Sequence, residues 1–292
     1  MRKGTLWAIL CIVASVAPVN GLETVEETVV KTLDFHSGHL LKIEAINGDI
    51  TIKTWDRERV EMVAIKRTMA KRKKDAVNLL EKTAIDIQAT ATGLTIRTRH
   101  PSKSIRLDRK HIEVSYHLMV PSRVDLKIQT THGAISVSGT RGALRVESTN
   151  GELTVDNTEG YLEMATTNGS IAVDGAIGQV TAQTTNGEIH LKGIQGGVDA
   201  ETTNGAVIAE SVLAGDKGIR IQTTNGSIRL SLPPDLQAQL EARTSNGKIS
   251  TEFPITVQGL LGGRSINGLL NGGGEGKIRL ESTNGSIEIG RK

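Results

Sequence analysis

The residues able to do acid–base or metal chemistry are few and scattered. His36-Ser37-Gly38-His39 sets two imidazoles three residues apart, half of a metal site by residue type, with no cysteine to complete it. A surface loop is the plainer reading. His111 and His117 stand six apart on one face of the alternating run HIEVSYHLM and decorate a strand. His190 lies between Glu188 and Lys192 as an outward strand residue, and His132 occupies a turn. Glu147, Glu163 and Glu201 recur at outward positions and would gather acids on one face. A polysaccharide lyase or hydrolase needs such carboxylates for general acid–base work, with a basic or aromatic group beside them. None accompanies them consistently, and no nucleophile motif, phosphate loop or dinucleotide fingerprint is present. The sequence therefore predicts no catalytic residue, no metal ligand and no cofactor.

The charge is unevenly placed. Residues 22–130 hold 20 Lys/Arg against 15 Asp/Glu, a balance of +5, whereas residues 131–292 hold 13 against 17, a balance of −4. The densest basic run comprises Lys66, Arg67, Lys71, Arg72, Lys73 and Lys74. It would attract an anionic surface such as lipid headgroups or an acidic polysaccharide; the ordinary alternative is a solvated helix flank. Aromatic residues make up only 2% of the chain, which weakens the case for sugar-stacking or base-stacking platforms.

The elements that must carry these residues are set by a repeat. Asn-Gly recurs at Asn150, Asn168, Asn186, Asn204, Asn225, Asn246, Asn267 and Asn284, in steps of 18, 18, 18, 21, 21, 21 and 17. His132-Gly133 continues the series backward, and Asn47-Gly48 stands as a separate copy upstream. Six residues before each Asn, and three after it, stands a branched aliphatic, as in Val180 and Ile189. The residues between alternate with period two, which marks half-buried strands. A lone Asn-Gly would suggest a hairpin, with glycine at positive φ. Fixed repetition instead requires coils stacked in parallel about 4.8 Å apart, each burying its core against its neighbours. The aliphatic columns then form ladders, and the Asn column points inward and hydrogen-bonds along its own stack. Just before each Asn runs an outward hydroxyl column: Thr131, Thr149, Thr167, Thr185, Thr203, Thr224, Ser245 and Thr283, with Ile266 the exception. Threonine suits strands, but so regular an array could also order water, ice or a glycan.

Residues 1–21 read as a signal peptide: Arg2 and Lys3, an apolar stretch from Leu6 to Ala17, and small residues ahead of a cut before Leu22. The lone Cys11 falls inside it, so the mature chain would lack cysteine. Residues 22–130 read as a β-rich module holding the first coil, a basic insertion and one short helix over DAVNLLEK (75–82). Residues 131–292 read as the repeat array. The final unit has nothing after it to cap it, which raises end-to-end self-association.

Three landmarks now combine: Ile50-x-Ile52-x-x-Trp55-Asp56, a strand ending in Val120-Pro121, and serial T-x-N-G-x-[IV] units. Together they resemble the bacterial putative-adhesin family, an exported β-strand-repeat domain of unknown function. The resemblance spans most of residues 30–290. It implies a right-handed parallel β-solenoid at the cell envelope, without known catalysis and without a known substrate.

The expectation is an all-β chain, a parallel β-solenoid (β-helix) of about nine T-x-N-G coils with an N-terminal β-rich module. In function it is an exported, non-catalytic adhesin or structural surface protein of the periplasm, cell surface or extracellular space. Its partner would be an envelope polymer, a glycan or another envelope protein; nucleic acid is not expected for an exported chain. The alternative is a module docking through Lys71, Arg72, Lys73 and Lys74 onto an anionic polymer or membrane surface. A polysaccharide-active enzyme comes third.

Overall fold

A computed structural model of the protein describes residues 7–19, 22–100, 111–212, 217–257 and 263–292. Arg2, Lys3, Asn20, Gly21 and the aliphatic-column residue Leu261 lie outside the described residues. The fold is an all-β parallel solenoid with one helix among the described residues. The chain divides into two compact units, 1–142 and 143–292, so the coil carrying His132-Gly133 belongs to the first.

The first unit holds β1 (Trp7–Val19), β2 (Leu22–Asp34), β3 (Leu40–Glu44), β4 (Ile50–Trp55), β5 (Arg59–Ala70), α1 (Lys73–Lys82), β6 (Ala84–Ala89), β7 (Gly93–Arg99), β8 (His111–Pro121), β9 (Asp125–His132) and β10 (Ile135–Ser138). Three coils stack in parallel. The pair β3/β4 lies in the middle, with β7 and β8 on one side and β9 and β10 on the other. Antiparallel strands cover the outer side: β6 pairs with β7, and β5 pairs with β8 and then with β2. The stretch read as the signal's apolar core forms β1, antiparallel to β2. Helix α1 buries Ala76 and Leu80 against Val25 of β2 and Ala70 of β5. Its C-terminal end receives Lys66, whose Nζ donates to Thr83 O at 3.2 Å and pairs with Glu27 at 2.5 Å. A cation there opposes the negative end of the helix dipole. The family-like landmarks meet at one edge, where Trp55 stands opposite Pro121. Trp55 donates through Nε1 to Arg59 O at 3.0 Å, and the Arg57 and Arg59 guanidinium groups lie 4.9 and 5.4 Å from its ring.

The second unit holds β11 (Leu144–Asn150), β12 (Leu153–Asn168), β13 (Ile171–Asn186), β14 (Ile189–Gln195), β15 (Val198–Asn204), β16 (Val207–Val212), β17 (Ile219–Asn225), β18 (Ile228–Leu232), β19 (Ala238–Asn246), β20 (Ile249–Thr251), β21 (Ile255–Val257), β22 (Ser265–Leu270), β23 (Gly276–Asn284) and β24 (Ile287–Arg291). Each coil has two straight sides. One runs up to the Asn-Gly corner and the other leaves it, and both send aliphatics such as Val180, Ile189 and Leu191 into the shared core. Full burial of each such side chain contributes about 1.5–3 kcal/mol. A second corner lies opposite, built from Asn157-x-x-Gly160, Gly175-x-x-Gly178 and Gly193-x-x-Gly196, with φ positive at all six named positions. This column repeats with the same 18-residue step over these coils, and is less conspicuous than Asn-Gly.

Two features depart from the sequence expectation. First, the coils do not stack in chain order. The coil of β23 and β24 sits between that of β17/β18 and that of β19/β20. The final unit is therefore not an uncovered end. The strand beyond β19 is β22, which runs antiparallel and pairs in turn with β21. Secondly, the corner glycines of this unit are not there for positive φ, unlike Gly48 and Gly133 of the first unit at 122° and 123°. Gly169, Gly187, Gly205, Gly226, Gly247 and Gly285 all lack it. They are required by approach: a Cβ on Gly187 would overlap the Gly169 carbonyl oxygen, and each of the others meets the carbonyl of the coil beside it in the same way.

Gly187→Ala is therefore expected to abolish cooperative folding or lower stability by several kcal/mol, because backbone has to move. Gly38→Ala, at φ 79° with open space around it, should cost only about 1–2 kcal/mol. Thermal unfolding of the two variants checks the order. A pH effect follows from Glu44, whose carboxyl is lowered from 4.5 to about 2 by hydrogen bonds from Arg97 and Lys42. A depressed carboxylate stabilises the fold above its unfolded pKa and loses that contribution as pH falls through its folded one. Wild type should lose stability between pH 4.5 and about 2 more steeply than Glu44→Gln, as followed by melting temperature against pH.

Candidate functional site

The Asn-Gly corner places its side chains in three ways. From Asn168 on, the hydroxyl two residues before each ladder Asn is buried and donates to the glycine carbonyl of the neighbouring coil, whereas Ser148, ahead of Asn150, makes no such bond. Thr184 reaches Gly169 O at 3.0 Å, Thr202 reaches Gly187 O at 3.0 Å, Thr223 reaches Gly205 O at 2.9 Å and Thr244 reaches Gly285 O at 2.8 Å. Ser282 does the same to Gly226 O at 3.0 Å. This inward column was not singled out in the sequence. The hydroxyl one residue before each Asn, which was, is exposed.

The asparagines form a ladder on the outside. Asn168 Nδ2 donates to Asn150 Oδ1 at 2.9 Å, and Asn186 to Asn168, Asn204 to Asn186, Asn225 to Asn204 and Asn284 to Asn225 each at 2.8 Å; Asn246 then donates to Asn284 at 2.9 Å. Asn168, Asn186, Asn204, Asn225, Asn246 and Asn284 are exposed, which corrects the inward orientation expected of the column. Asn267 is not in the ladder. It lies on β22 opposite Glu241. The reason is Ile266: in a regular coil it would take the exposed hydroxyl position, whereas on the antiparallel strand Ile266 and Leu270 are buried and Asn267 faces out.

On the outward face of the sheet containing β15, β17, β23, β19 and β22, the columns form a trough. A cavity of about 490 Å³ is lined by Thr203, Thr224, Thr283, Gln222, Arg243 and Arg264 among others. A second of about 280 Å³ continues it through Glu201 and Thr203 to Gln183 and Thr185. A third, about 470 Å³, lies alongside, over Asp199, Arg220, Glu241, Arg279 and Asn267. Most of the charged groups are compensated by a partner. Arg279 holds Glu281 at 2.7 Å, Gln222 donates to Glu281 at 2.6 Å, Arg220 donates to Gln222 at 2.9 Å, and Arg243 holds Glu241 at 2.8 Å. The Arg279 hydrogen bond, ahead of the other causes, lowers the Glu281 carboxyl below the usual carboxylate range. A carboxylate so held is a poor proton donor at neutral pH. What the trough offers a ligand is hydroxyls, amides and neutralised charge in rows about 4.8 Å apart. Of the acids read from the sequence, Glu163 pairs with Arg145 at 3.1 Å, and Glu201 alone lines the two hydroxyl-rich cavities.

Lys71, Arg72, Lys73 and Lys74 are all exposed at the start of α1. Arg72 pairs with Asp75 at 3.0 Å. Lys66 is buried and Arg67 pairs with Glu26 at 3.0 Å, so neither adds to this basic surface. His36 and His39 pack edge to face, 5.6 Å apart, above a loop in which Ser37 donates from both N and Oγ to Glu58. Among the described residues no group of three or more His, Cys, Asp or Glu is arranged to hold a metal ion, and no helix is long and apolar enough to cross a membrane.

Residues 39–290 match the family model described as Toastrack DUF4097, and the chain belongs to that family. Solved structures with likeness to it include a putative adhesin from Bacteroides fragilis NCTC 9343, at 11% identity and TM-score 0.48, covering 91% of this chain and 97% of that one. Putative adhesins from Parabacteroides distasonis ATCC 8503 (11% identity, TM-score 0.41, 89% and 96% covered) and Parabacteroides merdae ATCC 43184 (10%, 0.39, 90% and 95%) are also similar. No curated protein matches the chain.

The two side-chain columns should differ in weight. Thr202→Val strands the Gly187 carbonyl in the interior and is expected to cost about 1–3 kcal/mol. Asn186→Ala removes two ladder bonds, but at an exposed site where water replaces them, and should cost less. Chemical denaturation of both variants tests this; a larger loss for Asn186→Ala would overturn the ranking.

Proposed function

We propose that this chain is an exported, non-catalytic β-solenoid of the cell envelope that holds an extended, polyhydroxylated polymer in the trough of residues 143–292. The trough itself carries the reading: exposed Thr203, Thr224 and Thr283 alternate with Gln222 and neutralised acid–base pairs along successive coils. Regular donors and acceptors without excess charge suit a glycan strand laid along the stack, whose hydroxyls recur at a comparable spacing. The same neutralisation argues against acid–base catalysis, since Glu281 is held ionised by Arg279. Export rests on the signal-like segment ahead of Leu22. Adhesive and purely structural roles at the surface are both served by such a face.

A second reading has its own observation. Lys71, Lys73 and Lys74 are exposed with no ion pair among the described residues, and they stand where the positive end of the α1 dipole reinforces them. An anionic envelope polymer or membrane surface would dock there.

The test is binding of the exported protein to isolated envelopes and to a glycan panel at low and high salt. Thr224→Trp, which fills the trough from an exposed position, is expected to weaken binding at least about tenfold, a loss of about 1.4 kcal/mol, with little salt dependence. Lys73→Glu/Lys74→Glu should leave that binding intact. Binding abolished by salt and by the lysine variant, but indifferent to Thr224→Trp, would replace the trough with the basic surface. Sequencing the exported protein's N-terminus tests cleavage; a start at Leu22 is expected.

A further inference from the structure

The out-of-order coil suggests a mode of self-association that no end-on contact requires. Strand β23 is hydrogen-bonded on one side to β17 and on the other to β19, and β24 likewise lies between β18 and β20. The coil thus fills a slot whose two walls present the same register: Ile278 stands opposite both Ile219 and Leu240, and Asn284 opposite both Asn225 and Asn246. Its own Ile278, Leu280, Ile287 and Ile289 are fully buried there.

The coil reaches this slot by a single short crossing. Leu270, at the end of β22, and Gly276, at the start of β23, are both partners of Ala238, on opposite sides of β19. The five residues between them, Asn271-Gly272-Gly273-Gly274-Glu275, must pass around the chain at Gln237. Asn271, Gly272 and Gly273 do so with φ of 48°, 88° and 91°. A Cβ on Gly274 would come within 2.6 Å of Gln237 O. Asn271 Nδ2 donates to Pro234 O at 3.0 Å and Leu236 O at 2.8 Å. The crossing is therefore tight, glycine-dependent and strained at one non-glycine residue.

We propose that residues 276–291 form an exchangeable coil, able to fill the same slot in a second copy of this chain. Every contact of the coil is reproduced when it is delivered by another copy; only the crossing differs. Opening the crossing gives up the two Asn271 side-chain hydrogen bonds and the backbone bonds from Asn271 N to Pro254 O and from Gly273 N to Leu270 O, and releases the left-handed backbone at Asn271. Short linkers hold effective concentrations on the order of mM, so the closed monomer is favoured in dilute solution, and exchange is favoured by crowding or by any change that shortens the crossing.

The experiment uses the full chain with Cys11→Ser, Asn225→Cys and Asn284→Cys, cross-linked by a short bismaleimide after isotopically labelled and unlabelled protein are denatured, mixed and refolded. At low concentration the 225–284 link is expected within one chain. At high concentration a dimer with links between labelled and unlabelled chains is expected. Deleting Gly272–Gly274 leaves two residues to span two inter-strand spacings, about 9.6 Å, and also pass Gln237; this variant should be dimeric at concentrations where the parent is monomeric. A folded, monomeric deletion variant with links only within the chain would overturn the proposal. If the deletion variant fails to fold, the parent decides: links confined to one chain at every refolding concentration would equally overturn it.

Discussion

The rest of the second unit depends on how closely one coil can approach the next at the Asn-Gly corner. Each glycine carbonyl lies where the Cβ of the glycine in the adjoining coil would be. That approach lets the backbone hydrogen bonds run unbroken through the turn, as from Gly187 N to Asn204 O at 3.0 Å. It also brings the buried threonine hydroxyls within reach of the glycine carbonyls. The two effects reinforce each other, since a carbonyl left dry and unpaired in this position would cost about 1–3 kcal/mol. The aliphatic ladders and the outer asparagine ladder inherit their spacing from this contact. Close stacking is thus the cause, and the repeated sequence is its record.

Much of this was legible beforehand because stacking imposes a period. The strands and the equivalence of residues in successive coils follow from the spacing of Asn-Gly and the aliphatics around it, and the helix near 75–82 from the helical spacing of Val77, Leu80 and Ala84. Inward or outward placement followed where alternation holds: Val180, Ala182 and Thr184 share a side and are all buried. The same parity put Asn186 inside, and there it failed. The chain turns at the corner, so Thr185 and Asn186 are both exposed in succession. Parity belongs to straight strand and stops where the strand does.

Coil order was not legible, for a related reason. A repeat makes every unit's edges alike, so any coil can in principle neighbour any other. Periodicity identifies Asn225, Asn246 and Asn284 as equivalent but is silent on which lies in the middle. One residue did carry the information. Ile266 breaks the hydroxyl column, and an isoleucine on an exposed strand position forfeits its burial energy. Reversing the strand places it inside, and with β22 reversed, Asn267 leaves the ladder and the outer side of β19 is occupied by an antiparallel neighbour. The trough was hidden by the same permutation. Gln222 and Glu281 are 59 residues apart in the chain yet share a hydrogen bond, so the neutralisation of its acids follows from the stacking order and not from any local motif.

The two candidate surfaces consequently obey different physics. In the trough, cations are paired with anions along a strand, as Arg279 with Glu281 and Arg243 with Glu241, and across coils, as Arg220 with Asp199; the net field is small, and what remains is hydrogen bonding at a fixed repeat. At the start of α1 the opposite holds. Burial of Lys66 against Glu27 and pairing of Arg67 with Glu26 remove two cations from the run seen in the sequence, and among the described residues only Arg72 of the remaining four is ion-paired. The helix dipole adds to the lysines there instead of offsetting them. Such an arrangement is unfavourable for the isolated helix, which is held in place by Ala76 and Leu80 against β2 and β5. A cluster kept at an electrostatic cost is relieved by any anion that approaches it, and the relief falls with ionic strength. Hydrogen bonding along the trough has no such dependence, so salt separates the contributions of the two surfaces within one molecule.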